Sequence, residues 1–264
     1  MNDQIIDAHI HFDWYNEEQQ NQIIHDLEAN HIEGLISACY NADSAHKLLY
    51  LQQQDKRIYP TLGYHPEQDL PSSEEMNRLE TILKDKASNI VAIGEVGLPY
   101  YMRQKNPSLS YQPYVEVLSY FMDLAIQYSK PIFLHTIFED AQTACDLLEK
   151  HNLSQAHFHW YKGDEKITQR IADNGYMISV TPDCLYEEQI QMIIKKYPLE
   201  QMMVETDGPW SFEGPFKGKM THPKMIHDAV EQISIIKRLP LQEVYTQVYQ
   251  NTISFYQINQ FSQS

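Results

Sequence analysis

The chain has 264 residues, of which 42% are hydrophobic and 21% charged, with a formal net charge of −16. That length and apolar content suit one large-cored unit spanning residues 1–264, since α/β barrels of about 250 residues fold as a single domain. The acidic balance repels polyanions, which argues against a stable, high-affinity nucleic-acid surface but leaves room for an enzyme that meets phosphodiesters only in a metal-charged pocket.

Cys39, Cys145 and Cys184 are too few and too scattered for a disulfide framework or a cysteine metal site. The first residues, Met1-Asn2-Asp3-Gln4, carry no basic segment, and no long apolar run follows. No secretory signal or membrane span is therefore expected, and a cytoplasmic location is the default. Histidine is the unusual count, at 12. Oligomeric state is not legible at this level.

Taken in order, apolar runs rich in β-branched residues predict strands over residues 5–12, 34–40, 58–64, 90–95, 131–136, 156–160, 176–180 and 202–206. Amphipathic stretches predict helices over 17–30, 43–54, 74–86, 114–128, 139–151, 165–174, 187–197, 223–237 and 241–256. Across 114–128 the apolar residues Tyr114, Leu118, Phe121, Ala125 and Tyr128 recur at helical spacing. Pro71-Ser72-Ser73 and Asn106-Pro107-Ser108 read as loops, with Ser73 or Ser110 as caps for the helices that follow. Alternating strands and helices imply a parallel sheet, and eight repeats of the unit imply a closed (β/α)₈ TIM barrel. The rival is an open doubly wound sheet. No Gly-x-Gly-x-x-Gly follows the first strand, so dinucleotide binding loses its main support.

In such a barrel the active site forms at the C-terminal ends of the strands. Those ends carry His9 and His11, then His65, Glu95, His135, His159 and Asp207. Any one of these has a bland structural reading; a metal site is what explains their coincidence. His9 and His11, two apart on a strand, share a face. Glu95 follows an apolar run, and a carboxylate buried there needs a cation partner. Glu205 and Asp207 share a side; Asp207, the outer one, is the better ligand. Glu205, one layer deeper, is either an acceptor orienting a ligand histidine or a member of a buried ion pair. By the same period, Asp7 stands below His9. His157 and His159 also share a face, and the outer His159 is preferred. His25, His31, His46, His151, His222 and His227 fall on helical or loop patterns and read as solvated surface histidines.

Together these residues resemble the TatD-like family of metal-dependent hydrolases, within the amidohydrolase-like barrel superfamily. The likeness runs from Asp7-Ala8-His9-Ile10-His11 through Gly63-Tyr64-His65-Pro66 and Gly94-Glu95-Val96-Gly97-Leu98 to Pro131-Ile132-Phe133-Leu134-His135-Thr136. It continues with Phe158-His159 and Gly163, Glu205-Thr206-Asp207-Gly208-Pro209, and Asn251-Thr252-Ile253-Ser254-Phe255. The resemblance implies two divalent ions per chain, one on His9, His11, Glu95 and Asp207 and the other on Glu95, His135 and His159, with Glu95 bridging. It also selects His159 over His157 and puts His65 beside the substrate. Zn, Mn, Mg, Fe or Ni would serve as the metal. Three departures bear on the substrate: Pro99 where relatives often carry Asp, Ile137-Phe138 where they often carry Arg-Asp, and His159-Trp160-Tyr161-Lys162-Gly163 where His-Cys-Phe-Ser-Gly is common.

The expected chemistry is hydrolysis by water activated between the two ions, with Asp207 and Glu95 as the catalytic carboxylates. Four charges from the metals against two from Glu95 and Asp207 would leave a locally positive pocket. Lys162 and Arg103, with Lys217 and Lys219 behind them, are candidate phosphate contacts. Trp160, Tyr161, Tyr100, Tyr101 and Trp210 are candidate stacking surfaces. The resemblance implies a phosphodiester substrate, with 3′-end exonuclease action on DNA. The alternatives are a small-molecule amidohydrolase (a lactonase or amidase) on the same site, and a metal-binding interaction protein without turnover.

Overall fold

The computed structural model describes residues 3–258. The ends of the expected unit, residues 1–2 and 259–264, lie outside the described residues. Eight parallel strands alternate with helices: β1 (Ile5–Ile10), β2 (Ile32–Ser37), β3 (Ile58–Pro60), β4 (Ile93–Gly97), β5 (Ile132–His135), β6 (Ala156–Phe158), β7 (Met177–Val180) and β8 (Met202–Val204). The helices are α1 (Glu17–Ala29), α2 (Ala42–Gln54), α3 (Ser73–Lys86), α4 (Tyr100–Lys105), α5 (Gln112–Gln127), α6 (Asp140–His151), α7 (Glu165–Asp173), α8 (Glu188–Lys196), α9 (Ile226–Lys237) and α10 (Leu241–Tyr256).

The regular ladders form two sheets, β1-β2-β3 and β4-β5-β6-β7-β8. Irregular hydrogen bonds join them at both seams. At the β3–β4 seam, Val91 N–H donates to the Pro60 carbonyl (2.9 Å), Leu62 N–H to that of Ala92 (3.1 Å) and Gly94 N–H to that of Leu62 (2.8 Å). At the β8–β1 seam, Asp207 N–H donates to the His9 carbonyl (2.9 Å) and His11 N–H to that of Gly208 (2.8 Å). The result is the (β/α)₈ barrel expected from the alternation. The strands are shorter at their tops than the apolar runs suggest, because residues 61–65, 159–160 and 205–207 leave the ladder where they carry polar side chains.

Two apolar layers divide the molecule. A large cluster, including Ile5, Leu35, Ile58, Ile132, Phe158 and Ile178, packs the outer strand faces against the helices. A smaller cluster fills the barrel interior with Ile6, Ala8, Ile36, Tyr59, Phe133, Met177 and Met203, and Tyr256 from the end of α10 joins it. Fully burying a Phe or Ile side chain stabilises by roughly 1.5–3 kcal/mol, so these layers supply most of the favourable energy of folding. Asn251 locks α10 in place by donating to the Leu199 carbonyl (2.8 Å) and the Met202 carbonyl (2.7 Å).

Several local readings need correction. The cap of α3 is Ser72, whose hydroxyl accepts from Glu75 N–H (3.1 Å), not Ser73; α5 starts after Tyr111 without a side-chain cap, so Ser110 is not one either. Helix α4 is missing from the periodicity because its cap is remote. The Glu67 carboxylate accepts from Tyr101 N–H and Met102 N–H (2.7 Å each) from 34 residues upstream of Tyr101. His222 is buried rather than solvated, and its Nδ1 accepts from Lys224 N–H (3.1 Å).

Asp7 does not stand below His9. A register shift between Asp7 and Ile10 breaks the period of two, so Ile6 and Ala8 face the interior while Asp7 turns to the seam. There its carboxyl accepts from Thr206 N–H (3.0 Å), Thr206 Oγ1 (2.5 Å) and His9 N–H (3.3 Å). Burial raises its pKa to about 7, against the opposing pull of the Thr206 and His9 hydrogen bonds. A raised carboxyl pKa means that the folded chain holds a proton the unfolded chain has released. The Asp7 contribution to stability is therefore present below about pH 4 and is lost as pH rises towards 7, at up to about 1.4 kcal/mol per pH unit. Urea unfolding of the metal-stripped chain and of Asp7→Asn between pH 5 and 6.5 should show the wild type losing stability relative to the variant at about that slope. Parallel profiles would contradict it.

Candidate metal centre

Six of the seven strand-end residues converge on Glu95, which is completely buried at the top of β4. Its neighbourhood is built from close backbone approaches. A Cβ on Gly97 would collide with the His135 carbonyl, and one on Gly63 would lie 2.6 Å from the Glu95 carbonyl. Glycine at these positions lets β3, β4 and β5 draw close enough for their side chains to share one small volume.

The two Glu95 oxygens face different groups. Oε2 lies 3.3 Å from His9 Nε2 and 3.2 Å from His11 Nε2. Asp207 Oδ1 completes that side, 3.1 Å from His9 Nε2 and 3.5 Å from His11 Nε2. Oε1 lies 2.8 Å from both His135 Nδ1 and His159 Nε2, which are 3.2 Å apart. Four ligands at 2.0–2.1 Å around a tetrahedral ion are separated by roughly 3.3–3.4 Å. The separations of the His9 and His11 nitrogens from each other and from Glu95 Oε2 and Asp207 Oδ1, 3.1–3.5 Å, are close to those of such a shell, and the second group is slightly tighter.

The charge environment points the same way. Glu95 Oε2 and Asp207 Oδ1 are buried without a hydrogen-bond donor. Burial opposes ionisation of Glu95, but the surrounding histidines His65, His159 and His9 outweigh it and hold its pKa well below the usual carboxylate range. For His9, burial is again the largest opposing influence, and Glu95 and Asp207 raise its pKa well above the ordinary value. Two buried carboxylates thus draw positive charge into the site, which a divalent cation would supply. The donor set of imidazoles and carboxylates fits such an ion.

The surrounding residues fall into distinct roles. His65 Nδ1 accepts from Glu67 N–H (3.1 Å), so the neutral ring carries its hydrogen on Nε2, which faces Glu95 Oε1 at 3.3 Å. Burial lowers the His65 pKa. In this tautomer His65 presents an N–H to the site. Glu205 Oε1 lies 3.4 Å from His159 Nδ1 and accepts from Trp160 N–H (2.7 Å), which favours the orienting acceptor over the buried ion pair. His157 lies deeper, fully buried, and burial keeps it neutral.

A pocket of about 600 Å³ opens above the carboxylates, lined by Trp14, Tyr40, His65, Glu67, Tyr101, Lys105, Trp160, Lys162 and Trp210 among others. Lys162 borders it, 3.5 Å from Asp183 and 4.8 Å above the Trp160 ring. Arg103 does not line it: Asp140 holds the guanidinium at 2.6 Å, above the Tyr111 ring. Nor do Lys217 and Lys219 line it, and Lys217 pairs with Glu213 at 2.9 Å. Of the expected aromatic surfaces, Tyr101, Trp160 and Trp210 line the pocket and Tyr100 does not, while Tyr161 is buried against Thr168. Residue reasoning missed Trp14, Tyr40, Glu67 and Lys105. Trp14 carried a signal, three residues beyond His11, and its indole stacks on that ring with centroids 4.2 Å apart. Ile137, one of the departures from the family pattern, also borders the pocket, and Phe138 packs on Tyr100. Among the described residues, no helix is long and apolar enough to cross a membrane.

The sequence model described as TatD related DNase matches residues 6–257. An uncharacterized metal-dependent hydrolase of Haemophilus influenzae is 38% identical, covering 96% of this chain and all of its own. The human deoxyribonuclease TATDN3 is 23% identical, over 96% of this chain and 94% of its own. The crystal structure of YJJV, a TatD homolog from Escherichia coli, superposes with a TM-score of 0.85 at 22% identity, covering 97% of this chain and 99% of that one. The match to the family's sequence model over nearly the whole chain, with the 38% identical relative alongside it, makes this chain a member of the TatD family of metal-dependent hydrolases.

Proposed function

We propose that the chain is a phosphodiesterase working with two divalent cations, one held by His9, His11, Glu95 and Asp207 and the other by Glu95, His135 and His159. The observation that carries this is the division of Glu95, whose Oε2 faces His9 and His11 while Oε1 faces His135 and His159. Each Glu95 oxygen would then have its own pair of histidines with which to hold a cation. When bound, the cations supply activated water near neutral pH and neutralise charge developing on the substrate.

Asp207, 3.1 Å from His9, would take the proton from the attacking water. Its backbone adopts a left-handed conformation (φ 48°), which Asp tolerates better than most residues and which brings the side chain over the barrel mouth. His65 donates from Nε2 to a substrate oxygen. Lys105 and Lys162 reach the substrate's phosphate from the pocket wall.

The local charge differs from the simple expectation. Glu67 and Glu205 join Glu95 and Asp207 around the histidines, so two divalent cations would balance four carboxyl groups rather than leave the pocket positive. Recognition must then lean on contacts other than a positive field. The rim residues Trp14, Tyr101 and Trp210 are 39%, 48% and 55% exposed. Such surfaces stack nucleobases at about 1–3 kcal/mol each. The name of the human relative, a deoxyribonuclease, supports the same substrate class. The scarcity of free cations favours, as the second reading, a small ester, lactone or amide attacked on the same site.

On the phosphodiester reading, purified chain supplemented with Mn²⁺ or Zn²⁺ releases nucleotides from single-stranded DNA. EDTA abolishes the release, and Asp207→Asn lowers kcat by about 10²–10⁴-fold, the contribution typical of a positioned acid or base. Turnover of esters, lactones or amides but of no phosphodiester would select the second reading. Trp210→Ala should raise KM for an oligothymidylate by roughly tenfold while leaving an abasic oligonucleotide of equal length unaffected. An equal loss on both substrates would remove the stacking role.

A further inference from the structure

A continuous chain of polar side chains crosses the barrel interior beneath the metal centre. Tyr256 closes the bottom, where α10 ends, and its hydroxyl lies 2.7 Å from His157 Nδ1. His157 Nε2 lies 2.6 Å from Ser179 Oγ. The Ser179 hydroxyl donates to Glu205 Oε2. Glu205 Oε1 accepts from Trp160 N–H and is 3.4 Å from His159 Nδ1, a buried nitrogen that has no hydrogen-bond partner among the described residues. The four side chains leading to His159 are buried: Tyr256 is 1% exposed, His157 and Glu205 0%, and Ser179 3%.

The direction of the chain follows from what each group can do. A carboxylate only accepts, so Ser179 spends its single hydrogen on Glu205. The Ser179 oxygen must then accept from His157, so His157 carries its hydrogen on Nε2. A neutral imidazole has one N–H, which leaves the His157 Nδ1 lone pair for the Tyr256 hydroxyl. With Glu205 an acceptor on both oxygens, His159 carries its hydrogen on Nδ1 and turns a lone pair, at Nε2, towards Glu95 Oε1. Every donor in the sequence Tyr256, His157, Ser179 is matched, and reversing one link requires reversing the others.

We propose that Tyr256, His157 and Ser179 are positioning residues for the metal centre, acting through Glu205 to hold His159 in the tautomer and orientation that bind a cation at Nε2. This rests on the reading of His159 as a ligand. None of the three touches substrate or cation. Partners of a ligand histidine typically change metal affinity 10–100-fold when removed, and here the partner is itself held by residues on β6, β7 and α10. The register of all three elements is thereby tied to the affinity of one site.

The test is calorimetric titration of EDTA-stripped full-length chain with Mn²⁺. Wild type should bind two equivalents. Ser179→Ala and Tyr256→Phe should weaken one equivalent about tenfold and leave the other unchanged. Tyr197→Phe is the control. It removes an equally buried hydroxyl that donates to the Tyr176 carbonyl (2.6 Å) and belongs to no chain leading to the metals. It should lower the Tm of the stripped protein without moving either affinity. Long-range ¹⁵N spectra of labelled histidine should report the Nε2–H tautomer of His157 in wild type and a population of Nδ1–H in Ser179→Ala, which removes the acceptor of that Nε2–H. Unchanged Mn²⁺ affinities in both variants, with a Tm loss like that of Tyr197→Phe, would reduce the chain to a structural role. So would an unchanged His157 tautomer in Ser179→Ala. Wild type that takes up no metal would instead overturn the ligand reading, and the positioning role would fall with it.

Discussion

The structure turns on the complete burial of the Glu95 carboxylate among histidines. Removing a carboxylate from water costs several kcal/mol unless positive charge and hydrogen bonds replace the lost solvation. Five imidazoles, on or just past strands β1, β5 and β6 and in the loop after β3, surround it, each within 3.3 Å of one of its two oxygens. Glycines at 63 and 97 exist because the strands must approach this closely. The shortened strand tops follow as well, since backbone that swings a polar side chain over the barrel mouth cannot also stay in its ladder.

The two seams of the barrel lie beside this carboxylate and its partners. One lies between β3 and β4, next to Glu95; the other lies between β8 and β1, where Asp207 N–H meets the His9 carbonyl. Regular pairing would have kept the period of two along β1 and left Asp7 beneath His9. The register shift instead turns Asp7 towards Thr206, so one carboxyl closes the seam while the next polar side chains face the centre. Closure of the fold and construction of the site are the same event at this position.

Much of this was legible in residues. The alternation of apolar runs with amphipathic stretches carries the barrel, because burial on both faces of a parallel strand demands continuous hydrophobicity. Histidines and carboxylates at the strand ends carry the site, because barrel chemistry gathers there. The exceptions share a cause. Helix α4 depends on a cap from Glu67, Arg103 is tied to Asp140, and His222 is buried. Each depends on a contact between residues far apart in the chain or on burial by other elements, to which local periodicity is blind.

The division is clear in the histidines themselves. The sequence by itself determined which groups are available and at which strand end each stands, since residue type and a period of two or 3.6 are local properties. Only the tertiary structure decided which Glu95 oxygen faces which pair, which ring nitrogen of His65 carries the hydrogen, and that His157 joins Tyr256 and Ser179 beneath the site. Those choices depend on donors and acceptors supplied by other strands, and a hydrogen bond is assigned only when both of its ends are in place.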